Sequence, residues 1–333
     1  MKAFILDRYG SNDGVRAGEM PDPELRDDDV FVQIHAASVN PVDLKIRGGK
    51  LKLILPYRLP FILGNDLAGI VIRVGSGVQR FKPGDEVYAR PDEDRIGAFA
   101  EFISIKEDAV ADKPKQLTME EAASIPLVGL TAWQALIERA NLKKGQKVLI
   151  HAGSGGVGTF AIQLAKHLGA IVATTTSTAN LDWVKRLGAD IVIDYKKDDF
   201  ATFLHDYDVV LDTLGGEVLE KSVRVLKPGG KLISISGPPD PDFAKDIGSS
   251  WILRLVMRFL SYRIRKKAKH HHVSYSFLFM RPSGDQLREI GSLIDSGIIR
   301  PVVDRIFPFE STKEALAYVE KGRSKGKVVI KVR

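Results

Sequence analysis

The sequence predicts an α/β protein with a β-rich first part followed by a doubly wound parallel sheet. Short β-branched and aromatic runs separated by turn residues fill roughly the first 120 residues. Nearly all-apolar runs then alternate with helical segments. This alternation is typical of strands that are buried on both faces and joined in right-handed βαβ units. A final stretch, residues 281–333, again contains a helix and a strand.

The β-rich part has strand-like runs at residues 30–39, 69–75, 85–90 and 100–105, with the turn "KPGD" before the third. A helical pattern begins after Thr118, which has the capping-box spacing to Glu121. We expect the first domain to comprise residues 1–123.

The alternating part, expected to span residues 124–280, contains six further strands and their helices. In chain order the strands are "KVLIHAG", "IVATTT", "IVIDY", "DVVLDTLGG" and "KLISISG", and "VSYSFLFM" ends the domain. The tail carries the helix "GDQLREIGSLIDSG" and the strand "GKVVIKV". We expect this segment, 281–333, to fold back and complete the first domain.

Composition limits the class of protein. Of the 333 residues, 44% are hydrophobic and 27% are charged, as in ordinary globular proteins. No apolar run approaches a membrane span, and the first residues do not resemble a secretory signal. The chain contains no cysteine, which excludes disulfides and thiolate zinc sites, and the cytoplasm is the expected location.

A glycine-rich turn follows the first strand of the alternating part. In "HAGSGGVGTF", Gly153, Gly155 and Gly158 have the spacing G-x-G-x-x-G between a strand and a helix. The first glycine permits a tight turn, the second lets the backbone approach a pyrophosphate, and the third lets helix and strand pack closely. The alternative is a turn without a ligand, but this context favours a dinucleotide, with phosphates at the helix N-terminus.

The end of the next strand indicates which dinucleotide binds. An NAD site has an acidic residue there that accepts from the ribose 2′-hydroxyl. The segment "ATTTSTAN", residues 173–180, has no acid before Asp182, and Ser177 can donate to a 2′-phosphate. These residues favour NADPH over NADH, although no Arg or Lys stands at the strand end.

Four segments together resemble the medium-chain dehydrogenase/reductase superfamily: "FKPGDEVYA", "AASIPLVGLTAWQAL", "AGSGGVG" and "GRSKGKVVI". The likeness runs along the whole chain except for about residues 240–272. It implies a GroES-like catalytic domain made from both chain ends, with a Rossmann domain inserted between them. "NPVDLK", "GNDLAG" and "VIDY" are most similar to the quinone oxidoreductases and the alkenal or enone reductases of that superfamily.

The resemblance also implies the residues that bind the cofactor. Those expected around its phosphates, ribose and nicotinamide are Gly153, Ser154, Gly155, Gly156, Val157, Gly158, Ser177, Tyr195, Thr213 and Thr131, together with Arg323 and Lys325 from the tail. Some relatives carry a Lys where this chain has Asn180, so the contact from that position to the phosphate is not expected here.

The segment Gly64-Asn65-Asp66 stands where zinc-dependent members of the superfamily have Gly-His-Glu, whose His binds the catalytic metal. A cysteine ligand is also expected in the loop 39–49, and this chain has none. Because zinc needs three or four converging ligands, the resemblance implies a zinc-independent member. From the residues alone, a polar turn before a strand remains an alternative.

A zinc-independent site lacks the Lewis acid that oxidation of an unactivated alcohol requires. A quinone or an α,β-unsaturated carbonyl accepts hydride more readily, and needs mainly proximity, a hydrogen-bond donor and a proton source. We expect Asn40 to donate to the carbonyl or to the nicotinamide amide, and Lys45 to stabilise the enolate or to protonate it. Asp43 or Asp66 is expected to orient Lys45. The alternatives are a plain turn and a solvated lysine.

The sequence therefore predicts an NADPH-dependent quinone oxidoreductase or enone reductase. A non-catalytic NADPH-binding sensor or scaffold with the same fold is the alternative. The last strand of the alternating part allows a homodimer by edge pairing, on the analogy of related proteins.

The net charge of +7 comes from residues 251–272, which hold seven Lys or Arg and no acid. The same segment has apolar residues at helical spacing, beginning with Trp251 and Ile252. We expect a lid with its apolar side facing the substrate. The alternatives are peripheral contact with an anionic membrane and a solvated charged face. Nucleic acid is not an expected partner, and we assign no metal to His270–His272.

Overall fold

The computed structural model describes residues 1–52, 54–248 and 250–333, and these form two compact units. The first unit comprises Met1–Leu130 and Arg281–Arg333, and the second comprises Thr131–Met280. The division after Leu130 falls inside a helix, later in the chain than the boundary expected after residue 123.

Strands and helices are numbered in chain order. The strands are β1 Lys2–Leu6, β2 Val15–Glu19, β3 Asp29–Val39, β4 Phe61–Ile62, β5 Asp66–Val74, β6 Glu86–Ala89, β7 Phe102–Lys106, β8 Val110–Asp112, β9 Lys147–Ile150, β10 Ile171–Thr176, β11 Ile191–Asp194, β12 Tyr207–Asp212, β13 Leu226–Ser234, β14 Ser274–Phe277, β15 Val303–Pro308 and β16 Lys327–Lys331. The helices are α1 Pro41–Arg47, α2 Met119–Ala123, α3 Pro126–Trp133, α4 Gly156–His167, α5 Leu181–Arg186, α6 Phe200–Phe203, α7 Gly216–Ser222, α8 Pro241–Asp246, α9 Trp251–Leu260, α10 Tyr262–His270, α11 Gly284–Asp295 and α12 Thr312–Glu320.

The first unit is built on a sheet with the strand order β15-β16-β3-β5-β6-β8, in which β7 also pairs with β3. A smaller sheet has the order β2-β1-β4. The long strand β3 is buried along most of its length, which matches its apolar sequence. The capping box that begins α2 is present, because Glu121 N–H donates to Thr118 Oγ1 at 3.2 Å and Thr118 N–H donates to Glu121 Oε2 at 3.0 Å.

The tail returns to this unit through β16. Strand β16 runs antiparallel to β3, with Val328 opposite Val39 and Lys331 opposite Ala36. On its other side β16 pairs with β15 in parallel. The register brings the first residue of β16, Lys327, to the end of β3, where the chain enters α1.

The second unit contains a parallel sheet of order β11-β10-β9-β12-β13-β14, so the predicted doubly wound sheet is confirmed. Its central strands are largely buried, as the apolar runs predict: Val148, Leu149 and Ile150 of β9 are 0% exposed. The strand order changes direction between β9 and β12, and ligands of such sheets bind where the carboxyl ends of strands separate at this switch point.

In the part of the chain that the structure describes, no helix is both long enough and apolar enough to cross a membrane.

Candidate active site

The nucleotide turn, Gly153–Gly158, lies between the carboxyl end of β9 and α4. Added at Gly153, a Cβ would lie 2.2 Å from Thr174 Oγ1, and added at Gly158 it would lie 2.3 Å from the carbonyl oxygen of Ala152. Neither position therefore accepts a side chain without movement of its neighbours. At Gly155 the nearest atom to such a Cβ is the oxygen of Ala152, at 3.4 Å. Contacts within the protein therefore leave room for a methyl group at position 155. The remaining reason for glycine there is the close approach of a ligand to the backbone.

The start of α4 suits the pyrophosphate of a dinucleotide. Gly155 is the N-cap, and the first turn of this twelve-residue helix has no acidic residue. The leading N–H groups of a helix have no intrahelical partners, and they lie at the positive end of its dipole. The residues present therefore fit a bound dinucleotide.

At the end of β10, the side chains expected at the ribose form a hydroxyl-rich group. Asn180 Nδ2 donates to Ser177 Oγ at 3.1 Å. The neighbouring Thr176 Oγ1 is buried without a hydrogen-bond partner. Tyr195, on the adjacent strand end, is 61% exposed.

The adjacent strand end also supplies charges that the sequence analysis did not use. Asp194 accepts from Thr178 Oγ1 at 2.6 Å and from Lys196 N–H at 3.1 Å. The bond from Thr178 lowers the pKa of Asp194, and the charges of Lys197 and Lys196 lower it further. The two lysines place positive charge near the group expected to bind the ribose phosphate, and the letters "DYKK" were the signal for them.

The other expected cofactor residues are placed as follows. Thr213 Oγ1 donates to the carbonyl oxygen of His151 at 3.1 Å, and Thr131 is buried in α3. Arg323 and Lys325 are exposed in the turn before β16 and belong to the first unit, whereas the nucleotide turn belongs to the second.

In the first unit, six polar side chains form a buried group that we call the polar cluster. Its members are Ser38, Asn40, Asp43, Asn65, Asp66 and Lys327, each at most 5% exposed. Antiparallel pairing places Ser38 of β3 opposite Asp66 of β5, and Asn40 follows β3 directly. Three of the four side chains predicted to be catalytic, Asn40, Asp43 and Asp66, therefore lie together.

Asp66 is the central acceptor of the polar cluster. Its Oδ2 accepts from Ser38 Oγ at 2.8 Å and from Asn40 Nδ2 at 2.8 Å, and it lies 3.2 Å from Lys327 Nζ. Its Oδ1 accepts from Leu127 N–H at 2.7 Å. The carboxylate is thus surrounded by donors, as a buried charge requires.

Asp43 is held by two donors but is also fully buried. Asn40 N–H donates to its Oδ2 at 2.7 Å, and Asn65 Nδ2 donates to its Oδ1 at 2.6 Å. Burial raises the pKa of Asp43 to about 7, and the charge of Asp66 adds to this effect. The two hydrogen bonds and the charge of Lys327 act in the opposite direction. Asp43 can therefore hold or release a proton near neutral pH.

Lys327 is the member that the sequence analysis missed. Its ammonium group donates to Asn40 Oδ1 and, at 3.4 Å, to the carbonyl oxygen of Val39. In the motif "GRSKGKVVI", only Arg323 and Lys325 were expected to have a role. The available signal was the position of Lys327 as the first residue of a returning strand, but its partner strand could not be known from the sequence.

Lys45 does not take the position that was expected beside Asp43 or Asp66. The ammonium group that pairs with Asp66 belongs to Lys327. Lys45 lies two residues after Asp43 on α1, and side chains at that spacing do not face each other. Lys45 is half-buried, and burial lowers its pKa, with a smaller contribution from the charge of Lys50.

A β-rich unit assembled from both ends of the chain, together with a parallel-sheet unit that carries a dinucleotide turn, defines the class of two-domain dehydrogenases and reductases. Residues 26–115 match the alcohol dehydrogenase GroES-like domain family, and residues 187–330 match a family described as zinc-binding dehydrogenase. The chain belongs to the medium-chain dehydrogenase/reductase superfamily, and the predicted family and fold class are confirmed.

Several known proteins are similar to nearly the whole of this chain. The mitochondrial NAD(P)H oxidoreductase RTN4IP1 of Danio rerio is 35% identical, and the alignment covers 100% of this chain and 91% of that protein. The chloroplastic NADPH-dependent alkenal/one oxidoreductase of Arabidopsis thaliana is 35% identical over 99% of this chain and 79% of that protein. Among solved structures, the quinone oxidoreductase from Coxiella burnetii has a TM-score of 0.88 and 34% identity, with 100% of this chain and 99% of that one covered.

The polar cluster does not fit the zinc ion that one family description implies. Asn65 turns its amide Nδ2 toward Asp43, and Asp66 Oδ2 already lies against the ammonium group of Lys327. Among the residues that the structure describes, no group of three or more His, Cys, Asp or Glu could hold a metal ion. The positive charge beside these carboxylates is the buried ammonium group of Lys327.

Proposed function

We propose that this protein is a zinc-independent, NADPH-dependent oxidoreductase that transfers hydride to a quinone or to the β-carbon of an α,β-unsaturated carbonyl. The observation that carries the proposal is the nucleotide turn between β9 and α4, in which contacts within the protein require glycine at 153 and 158 and leave Gly155 open to a ligand. Membership of the superfamily and the activities named for the relatives support both the reaction type and the class of acceptor.

NADPH supplies the hydride when it is bound. We propose that Gly153–Gly158 bind its phosphates and that Ser177 and Tyr195 flank the ribose phosphate, with Lys196 and Lys197 adding positive charge nearby. Thr131 and Thr213 are proposed to contact the nicotinamide end, and Arg323 and Lys325 to reach the cofactor from the tail. The hydroxyl-rich end of β10 supports the preference for NADPH over NADH.

We propose that Asn40 and Lys45 act on the acceptor and that Asp43 and Asp66 position Asn40. Hydride addition to a conjugated carbonyl places negative charge on its oxygen, which a donor stabilises. Lys45 Nζ is the proposed donor and proton source, because its pKa is lowered and its side chain is only half-buried. A pKa closer to neutrality suits an acid catalyst.

Within this set, Asp43 and Asp66 support Asn40. Asp43 accepts from the Asn40 backbone and Asp66 accepts from its side-chain amide, so both carboxylates fix the orientation of that residue. Asn40 is therefore rigid, which favours pre-organisation. Its second amide N–H makes only a long contact with the carbonyl oxygen of Ser38, at 3.4 Å, and this N–H is the one proposed to bind the acceptor or the nicotinamide.

Larger partners and location are also proposals. The strand β14 ends the parallel sheet, and we propose that its free edge pairs with that of a second copy. We further propose a cytoplasmic location with peripheral membrane contact through residues 251–272. The names of two relatives record mitochondrial and chloroplastic locations for those proteins.

A turnover screen tests the proposed function. NADPH and NADH are each offered with a panel of quinones, alkenals and cyclic enones, and nucleotide binding is followed in parallel by cofactor fluorescence. We expect binding of NADPH and its consumption with at least one conjugated acceptor. Binding without consumption across the whole panel would favour the non-catalytic NADPH-binding alternative, and no binding would refute both.

A further inference from the structure

The helices α9 and α10 form a surface that the proposed reaction does not use. Ser250 caps α9, and its Oγ accepts from Leu253 N–H at 3.4 Å. Among the side chains of α9, only Met257 is buried, whereas α10 packs into the core of the second unit through Ile264 and Ala268. The segment is therefore anchored from one side, and its other side faces solvent.

The solvent-facing side of α9 is strongly apolar. We call its large exposed side chains the apolar ridge: Trp251, Ile252, Leu255, Val256, Phe259 and Leu260, which are between 46% and 83% exposed. Their spacing along α9 places them on one continuous stripe. Trp251 and Phe259 are 74% and 83% exposed. The expectation that this side covers the substrate as a lid stays a prediction.

The two helices also carry exposed basic side chains. Arg254 and Arg258 of α9 and Arg265, Lys266 and Lys269 of α10 are exposed. Among the described residues, none of these five takes part in an ion pair. The neighbouring Arg263 and Lys267 differ, because both contact Glu220, at 3.3 Å and 3.5 Å.

An anionic bilayer satisfies both features of this surface. Apolar side chains of an interfacial helix enter the boundary between headgroups and acyl chains, and flanking Lys and Arg contact lipid phosphates. A second copy seated on the same face would bring two positively charged faces together. Soluble monomers rarely expose a continuous patch of six large apolar side chains.

We infer that α9 and α10 form a docking surface for an anionic lipid bilayer, with the apolar ridge inserted and the basic side chains at the phosphates. This inference deepens the membrane contact suggested under the proposed function, and it gives that contact a defined face and lipid chemistry. A lipid-soluble quinone would be met at such a surface. Lipid binding itself requires neither NADPH nor turnover.

Vesicle co-sedimentation tests the inference on the full chain. We expect binding to phosphatidylcholine vesicles that contain phosphatidylglycerol, weak binding to phosphatidylcholine alone, and loss of binding at high salt. Trp251→Ser combined with Phe259→Ser is expected to lower the ratio of bound to free protein at least about tenfold. Arg254→Glu combined with Arg258→Glu is expected to lower it at least about thirtyfold on the anionic vesicles.

Matched controls separate this surface from general effects. Phe203→Ser removes another exposed phenylalanine of the second unit, 58% exposed, and Lys143→Glu with Lys144→Glu makes the same charge change elsewhere. Both controls should bind vesicles as the parent does. Tryptophan emission should shift to the blue on binding, and Trp251→Phe should remove most of the shift while binding persists.

Three results would overturn the inference. The first is an absence of binding to anionic vesicles at low salt. The second is vesicle binding that the ridge variants leave unchanged. The third is a ridge-dependent self-association without lipid binding, seen by sedimentation velocity. NADPH binding and turnover are measured on the same variants, so a failure of lipid docking is distinguishable from a failure of the proposed function.

Discussion

Replacing Lys327 by methionine removes the ammonium group that lies 3.2 Å from Asp66 Oδ2, while keeping a side chain of similar length. Asp66 is 0% exposed and Lys327 is 5% exposed, so the remaining carboxylate stays buried with Ser38, Asn40 and Leu127 as its donors. Removing one partner of a buried ion pair costs about 3–5 kcal/mol. We expect a loss of this size in the local stability of β3, β5 and β16.

Hydrogen exchange followed peptide by peptide is the suitable assay, because it reports opening free energies for each part of a chain that need not unfold in one step. Lys331→Met is the matched control. Lys331 lies on the same strand and forms an ion pair with Glu120 at 3.3 Å, and its side chain is 56% exposed. An exposed pair of this kind contributes about 0–1 kcal/mol.

A second variant tests the cause of the loss. Adding Asp66→Asn to Lys327→Met removes the unpaired charge, so part of the lost protection should return. If Lys327→Met and Lys331→Met reduce protection equally, or if Asp66→Asn only deepens the loss, the buried ammonium group is not what balances the polar cluster.

Three further predictions concern the two sites. Because burial raises the pKa of Asp43 to about 7 from 3.8, the folded state binds a proton that the unfolded state has released. The free energy of unfolding should therefore fall as pH rises from about 4 to 7, by at most about 1.4 kcal/mol per pH unit. Urea titrations across that range should show a smaller slope for Asp43→Asn than for the parent. Equal slopes would contradict a raised pKa of Asp43. Lys45→Met should lower kcat for enones well beyond any change in the Kd for NADPH, and equal kcat values in mutant and parent would remove Lys45 from the mechanism. Gly155→Ala should leave the melting temperature unchanged, since its Cβ meets only the oxygen of Ala152 at 3.4 Å, but it should weaken NADPH binding. Gly158→Ala should lower both the melting temperature and the affinity for NADPH. If Gly155→Ala binds NADPH as the parent does, no phosphate approaches the backbone at that position.

The sequence predicted the features that depend on local pattern. Glycine at 153 and 158 is required by contacts with Ala152 and Thr174, which lie within one strand–turn–helix unit and its neighbouring strand. The apolar runs predicted the parallel sheet, because strands buried on both faces need no polar alternation. The proximity of Asn40 to Asp66 could also be expected from the sequence, since Asn40 directly follows β3 and Asp66 begins β5.

Only the tertiary structure decided which positively charged side chain contacts Asn40 and Asp66. Lys327 is 261 residues from Asp66 in the chain, and no local pattern reports a strand pairing over that distance. The antiparallel register of β16 on β3 determines it. For the same reason the sequence left the direction of the apolar ridge undecided: the spacing in α9 defines a stripe, but the anchoring of α10 through Ile264 and Ala268 determines that the stripe faces solvent. Helical periodicity specifies which side chains share a face, and packing against the rest of the chain selects the face that is buried.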